Sequence, residues 1–237
     1  MTDDVRYELR DRIARVTIDH GKANTLSTAV VAALDAALTR AEQAGPDEVG
    51  AMLITGKPGF LSGGFELDEM RSSAEAAARL TTKGGALFTR IFGSEVPVVV
   101  ACSGHAIAAG ALLLMSADER IGARGAFRIG LIETQIGMVV PRWATELSEE
   151  RLSRRHYQLA TIGARIYDPD GARDAGFLDE VVEPDALEAR ALEAAQYWAG
   201  LPRAAYVGQL KRHRADRLRR LDEAVVADRG AIYALGE

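Results

Sequence analysis

Two short apolar runs, AMLIT at 51–55 and VPVVVA at 96–101, most narrow what this chain can fold into. Five or six such residues without polar alternation have no wet face and are short for a helix, so each reads as a buried strand. Pro97 falls at the start of the second run, where a missing N–H is tolerated. Ahead of them, residues 5–9 and 13–19 alternate apolar and polar side chains around Arg10, Asp11 and Arg12, the pattern of a hairpin. Helices are expected between the strands. Ser27 is a candidate N-cap for a helix carrying Val30, Leu34, Leu38 and Ala41 and stopped by Gly45 and Pro46. Ser72-x-x-Glu75 has the form of a capping box for a helix carrying Leu80, Leu87, Phe88 and Ile91. Residues 56–64, between strand and helix, read as a glycine-rich loop.

Downstream, Ser153 is expected to cap a helix ending at Gly163, and Asp168 with Pro169 opens a short helix that Gly176 closes. Residues 177–182 are strand-like. A longer helix over 184–199 ends at Gly200 and Pro202. The alternation of short apolar strands with amphipathic helices predicts an α/β fold. A boundary is drawn there, giving a core at 1–199 and a helical segment at 200–237. That segment carries six Lys or Arg in KRHRADRLRR, expected to be a solvated helix face rather than a phosphate site.

The 237 residues carry 27% charged side chains and a net charge of −5, which speaks against nucleic acid as a partner. One cysteine, Cys102, excludes an internal disulfide, and a cytoplasmic location is expected, with no membrane span. Common catalytic signatures are missing. Neither Ser62 nor Ser103 sits in a Gly-x-Ser-x-Gly elbow, and no P-loop or dinucleotide fingerprint occurs. The four histidines are scattered, so no metal site is expected. Cys102 near His105 is read as a small core residue rather than a nucleophile.

What remains is a pair of glycine-rich connections, GKPGFLSGGFELDEM at 56–70 and ACSGHAIAAGALLL at 101–114, each leaving a buried strand. Small residues let a ligand approach the backbone, and free N–H groups at a helix N-terminus favour a developing negative oxygen. The simpler alternative is that Gly63, Gly64 and Gly110 only permit tight turns and close packing. One such loop would leave that alternative ahead; the detail of the pair changes the weighing. The first resembles the Gly-x-x-x-x-Phe-Ser-Ala-Gly-x-Asp-Leu pattern of the crotonase (enoyl-CoA hydratase/isomerase) superfamily. The second resembles that family's Val-x-Gly-x-Ala-x-Gly-Gly-Gly-x-x-Leu-x-x-x-Asp pattern. KANTLS, IGLIETQIGM and YDPDGARDAGFLDEVV are similar to three further family segments, in the same order, so the resemblance spans roughly residues 5 to 212.

The resemblance implies a crotonase-like spiral of ββα units with a C-terminal helical trimerisation segment, and a homotrimer or hexamer. It implies a coenzyme A thioester as substrate, no separate cofactor, and an acyl-CoA enolate held by two backbone N–H groups. By position these belong to Phe65 and Ala109. In the family's hydratases two glutamates hold water; here the first position is Leu112 and the second is Glu133. A carboxylate in so apolar a neighbourhood suits general acid and base work, and a single one suits proton relocation better than hydration. Retention of Glu133 alone resembles the Δ3,Δ2-enoyl-CoA isomerases. Hydration through another water-positioning group and a non-catalytic acyl-CoA-binding oligomer are the competing readings.

Other departures concern the substrate-facing residues. Glu66 replaces the family's usual aspartate and Asp68 its frequent lysine, so Lys22 and the backbone around Ala23, Gly63 and Leu67 are the expected contacts of the CoA nucleotide, with Leu112 also expected at the substrate. Lys211 is a further candidate for the CoA phosphates. His105 is read as a packing residue, and the C-terminus lacks a clear match to the family's closing segment.

Overall fold

The computed structural model describes residues 4–229. Strands β1 (Val5–Arg10) and β2 (Ile13–Ile18) form the expected hairpin, closed by Asp11 and Arg12 with both φ values positive. That backbone matches the twist of a two-residue hairpin turn. Helix α1 (Thr28–Gln43) starts at Ser27, whose hydroxyl accepts from the Val30 N–H.

From there the chain repeats one unit: a strand in a large sheet, a strand in a small one, then helix. Strands β3 (Ala51–Thr55) and β4 (Gly59–Ser62) lead to helices α2 (Leu67–Ser72) and α3 (Ala74–Phe92). Strands β5 (Val98–Cys102) and β6 (Gly104–Ile107) lead to α4 (Ala109–Ser116). Strands β7 (Glu119–Ala123) and β8 (Ile129–Gly130) lead to a 3-10 turn (Glu133–Ile136) and then α5 (Arg142–Arg151). Helices α6 (Arg154–Thr161) and α7 (Pro169–Ala175), strand β9 (Glu180–Val182), and helices α8 (Leu187–Gly200) and α9 (Arg203–Asp228) complete the described chain.

The large sheet runs β1-β2-β3-β5-β7-β9, parallel apart from the first hairpin; the small one runs β4-β6-β8, also parallel. Both faces of the large sheet are covered. Met52, Ile54, Val98 and Val100 face the main core with α1, α3, α4 and α5, while Leu53, Val99 and Ile121 meet Leu187, Ala191 and Ala195 of α8. This accounts for the unbroken apolar runs, since strands buried on two faces lack polar alternation.

Several local expectations are corrected. Residues 59–62, read as loop, are β4, and a strand, β6, precedes α4. Four-residue strands rich in glycine carry no usable periodicity; they exist because Gly59 and Gly104 find each other across the fold. The cap of α3 is Ser73, not Ser72: its hydroxyl accepts from the Ala76 N–H at 3.1 Å, and Ser72 ends the unforeseen α2. The basic run of α9 is not simply solvated. Arg214 pairs with Asp118, and Arg217 pairs with Glu146, Glu149 and Glu150, each arginine side chain largely buried. Asp168 and Gly176 bracket α7 as expected, the aspartate accepting from the Gly171 N–H.

Candidate active site

The two glycine-rich connections meet because their smallest residues interlock. A Cβ at Gly110 would stand 2.3 Å from the Ser62 carbonyl oxygen, so no larger residue lets α4 reach the first loop. Gly64, at φ +104°, turns beside Ile107, Ala108 and the Ala109 nitrogen. Its N–H donates to the Ser62 hydroxyl at 3.1 Å.

This interlock aims two backbone donors. Leu26 pairs with Phe65 as an isolated parallel bridge, its N–H going to the Gly64 carbonyl and its carbonyl accepting from the Glu66 N–H. Such a bridge uses the groups on either side of Phe65 and turns the Phe65 N–H away from Leu26. Ala109 is the first residue of α4, where an N–H has no intrahelical partner. Among the described residues, neither N–H has a backbone acceptor. Ala108, immediately before, adopts φ 51°, ψ −119°, a conformation that belongs to glycine. It is held there by its own N–H, which donates to the Gly130 carbonyl at 2.9 Å, and by the first carbonyl bond of α4.

Phe65 and Ala109 line a cavity of about 340 Å³ with Gly63, Leu67, Met70, Arg71, Ala108, Ile132, Glu133, Ile136 and Met138. Among the described residues, Glu133 is the one carboxylate in that lining. It opens the 3-10 turn after β8, which Gly137 closes in the left-handed conformation, with the Met138 N–H returning to the Glu133 carbonyl. The side chain is 7% exposed, and its Oε2 has no hydrogen-bond partner. Burial pushes the carboxyl up to about 7, opposed by the backbone N–H groups of Glu133 and Ile132. A carboxyl balanced near neutrality accepts and returns a proton with little bias.

The cavity lining leaves out several other residues expected at the substrate. Lys22 is exposed and outside the cavity; Ala23 also lies outside, its carbonyl taken by the Gly63 N–H at 2.8 Å. Leu112 is 1% exposed in the core and does not line the cavity. Lys211 pairs with Glu95. His105 packs as expected between Phe60 and Phe127 and accepts from the Arg128 N–H. Cys102 is buried with its thiol pushed up to about 12 by desolvation, so it is no nucleophile. The far wall of Ile132, Ile136 and Met138 and the cation Arg71 were not anticipated, although the wall lies inside the IGLIETQIGM segment. A larger cavity, about 490 Å³, lies beneath α8 with Arg15 and Glu188 at its rim, and contains none of the donors or carboxyls described above.

The repeating ββα spiral, the paired loops and the buried glutamate coincide with a family match. The model of the enoyl-CoA hydratase/isomerase family covers residues 8–235, and the chain belongs to that family. It is 31% identical over 156 residues to human mitochondrial enoyl-CoA delta isomerase 1, a match covering 65% of this chain and 51% of that protein. The alignment thus spans about half the length of that curated relative. An enoyl-CoA hydratase/isomerase family protein from Pseudomonas syringae superposes with TM-score 0.93 at 42% identity, over 97% of this chain and 98% of the other. A Mycobacterium tuberculosis protein described as an enoyl-CoA isomerase gives TM-score 0.90 at 39% identity, over 96% and 98%. A second structure of that mycobacterial protein describes it as a probable enoyl-CoA hydratase, so the family names by themselves do not choose the reaction. The crotonase-like α/β fold is therefore established.

Among the described residues, no helix is long and apolar enough to cross a membrane, and no three His, Cys, Asp or Glu side chains cluster to hold a metal ion.

Proposed function

We propose that this chain converts 3-enoyl-CoA thioesters to 2-enoyl-CoA thioesters, with Glu133 as the sole proton carrier. The observation that carries this reading is the single buried carboxyl, poised near pH 7, in the cavity lined by Phe65 and Ala109. The Glu133 carboxylate removes a proton from C2; the C2–H electron pair forms the C2=C1 bond of a dienolate, and negative charge moves to the thioester oxygen. The Phe65 and Ala109 N–H groups donate to that oxygen. Protonated Glu133 then delivers its proton to C4: the C3=C4 pair forms the new C4–H bond, the C1=C2 pair shifts to C2=C3, and an oxygen lone pair re-forms the thioester carbonyl. No atom is gained or lost, and the carboxylate is regenerated. Each backbone donor of this kind typically contributes about a hundred- to a thousandfold in rate.

Hydration asks for more, because a water must be held and deprotonated while a proton is delivered to carbon. By the family resemblance Leu112 takes the position of the hydratases' other glutamate, and among the described residues the cavity lining holds no further acid. Coenzyme A enters as part of the substrate, and the assembly is a homotrimer or hexamer in this reading. The test is to assay 3-hexenoyl-CoA isomerisation and crotonyl-CoA hydration on one preparation. Isomerisation should dominate, and a robust hydratase rate would sink the reading. Glu133→Gln should lower isomerisation by about a hundred- to ten-thousandfold while acyl-CoA still binds; unchanged turnover would place the base elsewhere.

A further inference from the structure

We propose that Arg71 binds an anionic group carried by the acyl-CoA substrate, supplying from the next turn of α2 the positive charge that Asp68 does not provide; this rests on the reading of the cavity as an acyl-CoA site. Helix α2 turns one face to the cavity: Leu67, Met70 and Arg71 all line it and stand at i, i+3 and i+4. Asp68, on the position where the family frequently has lysine, does not line it. Among the described residues, Arg71 is thus the one cation in a lining that, Glu133 apart, is apolar.

The surrounding acids leave it unpaired. Glu66 bonds the Thr25 hydroxyl, and Glu69 bonds both the N–H and the hydroxyl of Thr28, so both carboxylates are turned toward the start of α1. Among the described residues, Arg71 has no carboxylate within ion-pair distance, although Glu66, Asp68, Glu69 and Glu75 are all close to it in sequence. Arg71 is exposed, which keeps it hydrated until a ligand arrives. It is not among the causes that set the Glu133 carboxyl, which burial raises and two backbone N–H groups lower. An exposed, unpaired guanidinium on an apolar entrance recognises phosphate or carboxylate through charge-assisted, bidentate hydrogen bonds. On an acyl-CoA the anion has two sources: a phosphate of the carrier, or a carboxylate on the acyl chain.

The experiment measures dissociation constants by calorimetry for unreactive saturated ligands, which separates this inference from the reaction assigned to the site. Hexanoyl-CoA, hexanoyl-pantetheine and adipoyl-CoA are titrated into the wild type, Arg71→Ala and Arg71→Lys. Arg71→Ala should weaken at least one CoA ligand by about tenfold, a charge-assisted bond discounted for exposure, and Arg71→Lys should recover part of it. Weaker binding of both CoA ligands but not of the pantetheine thioester assigns the anion to phosphate. An effect confined to adipoyl-CoA assigns it to a carboxylate on the acyl chain. Affinities unchanged in Arg71→Ala for all three ligands overturn the proposal. A wild type that binds hexanoyl-CoA yet fails to isomerise 3-hexenoyl-CoA would instead overturn the reaction and leave Arg71 standing.

Discussion

Glu133 and Ala108 are the two residues where chemistry and folding pull against each other. In the proposed reaction Glu133 must be ionised to accept the first proton, so kcat/KM should rise about tenfold per pH unit below pH 7 and level off above it. A pH–rate profile checks this; a midpoint near pH 4.5 would mean that the working base is an exposed carboxylate. Ala108 pays in strain for the position of the Ala109 N–H, since a methyl side chain at φ 51°, ψ −119° costs on the order of 1–3 kcal/mol. Ala108→Gly should remove that strain, and the greater freedom of glycine in the unfolded chain offsets roughly 0.5–1 kcal/mol of the gain. A net stabilisation of about 1 kcal/mol in urea denaturation is expected. A destabilised glycine variant would show that the Ala108 methyl contributes packing that exceeds its strain.

At the scale of elements, α4 decides whether the Ala109 donor is in place, and it is held from behind. Arg151 of α5 donates to the Met115 and Ala117 carbonyls at the C-terminal end of α4, at 2.9 and 2.6 Å. A cation there complements the helix dipole whose positive end faces the cavity. Just beyond, the Asp118 carboxylate is 2% exposed and accepts from the Val98 N–H, Arg214 and the Tyr206 hydroxyl, joining α4 to β5 and α9. Asp118→Ala should cost about 3–5 kcal/mol, because it leaves the Arg214 guanidinium facing the core without its counter-charge. Chemical denaturation measures this, and a destabilisation below about 1 kcal/mol would mean that Arg214 finds water or another partner. The sequence offered the aspartate as the end of a family pattern, and the basic run only as a wet helix face. Their pairing joins residues 96 positions apart, and no local pattern carries such information.

Across the whole molecule, the same buried carboxyl links function to stability. The folded-state value of Glu133 lies above its ordinary 4.5, at about 7, so between these pH values the folded chain holds a proton that the unfolded chain has released. Its contribution is therefore present in full below about pH 4.5 and is lost as pH rises through 7, a change of up to about 3 kcal/mol. Glu133→Gln lacks this titration. The stability gap between variant and wild type should grow in favour of the variant from about pH 5 to about pH 8, and a gap independent of pH would contradict the burial assigned to Glu133.

Much of this was legible in the sequence for a physical reason. Strands buried on two faces must be apolar throughout, a helix start needs a local hydroxyl or carboxylate, and a backbone donor at a close approach needs small residues. Thus the α/β class, the caps at Ser27 and Asp168 and the two glycine-rich connections are visible without coordinates, while Glu133 stands out only through the family resemblance of its segment. The small sheet β4-β6-β8, the outward placement of Lys22, the burial of Leu112 away from the cavity, and the turn of Arg71 toward it were decided only by tertiary structure. Each depends on which distant segment supplies a hydrogen bond or an apolar wall, and that is a property of the packed chain rather than of any stretch of it.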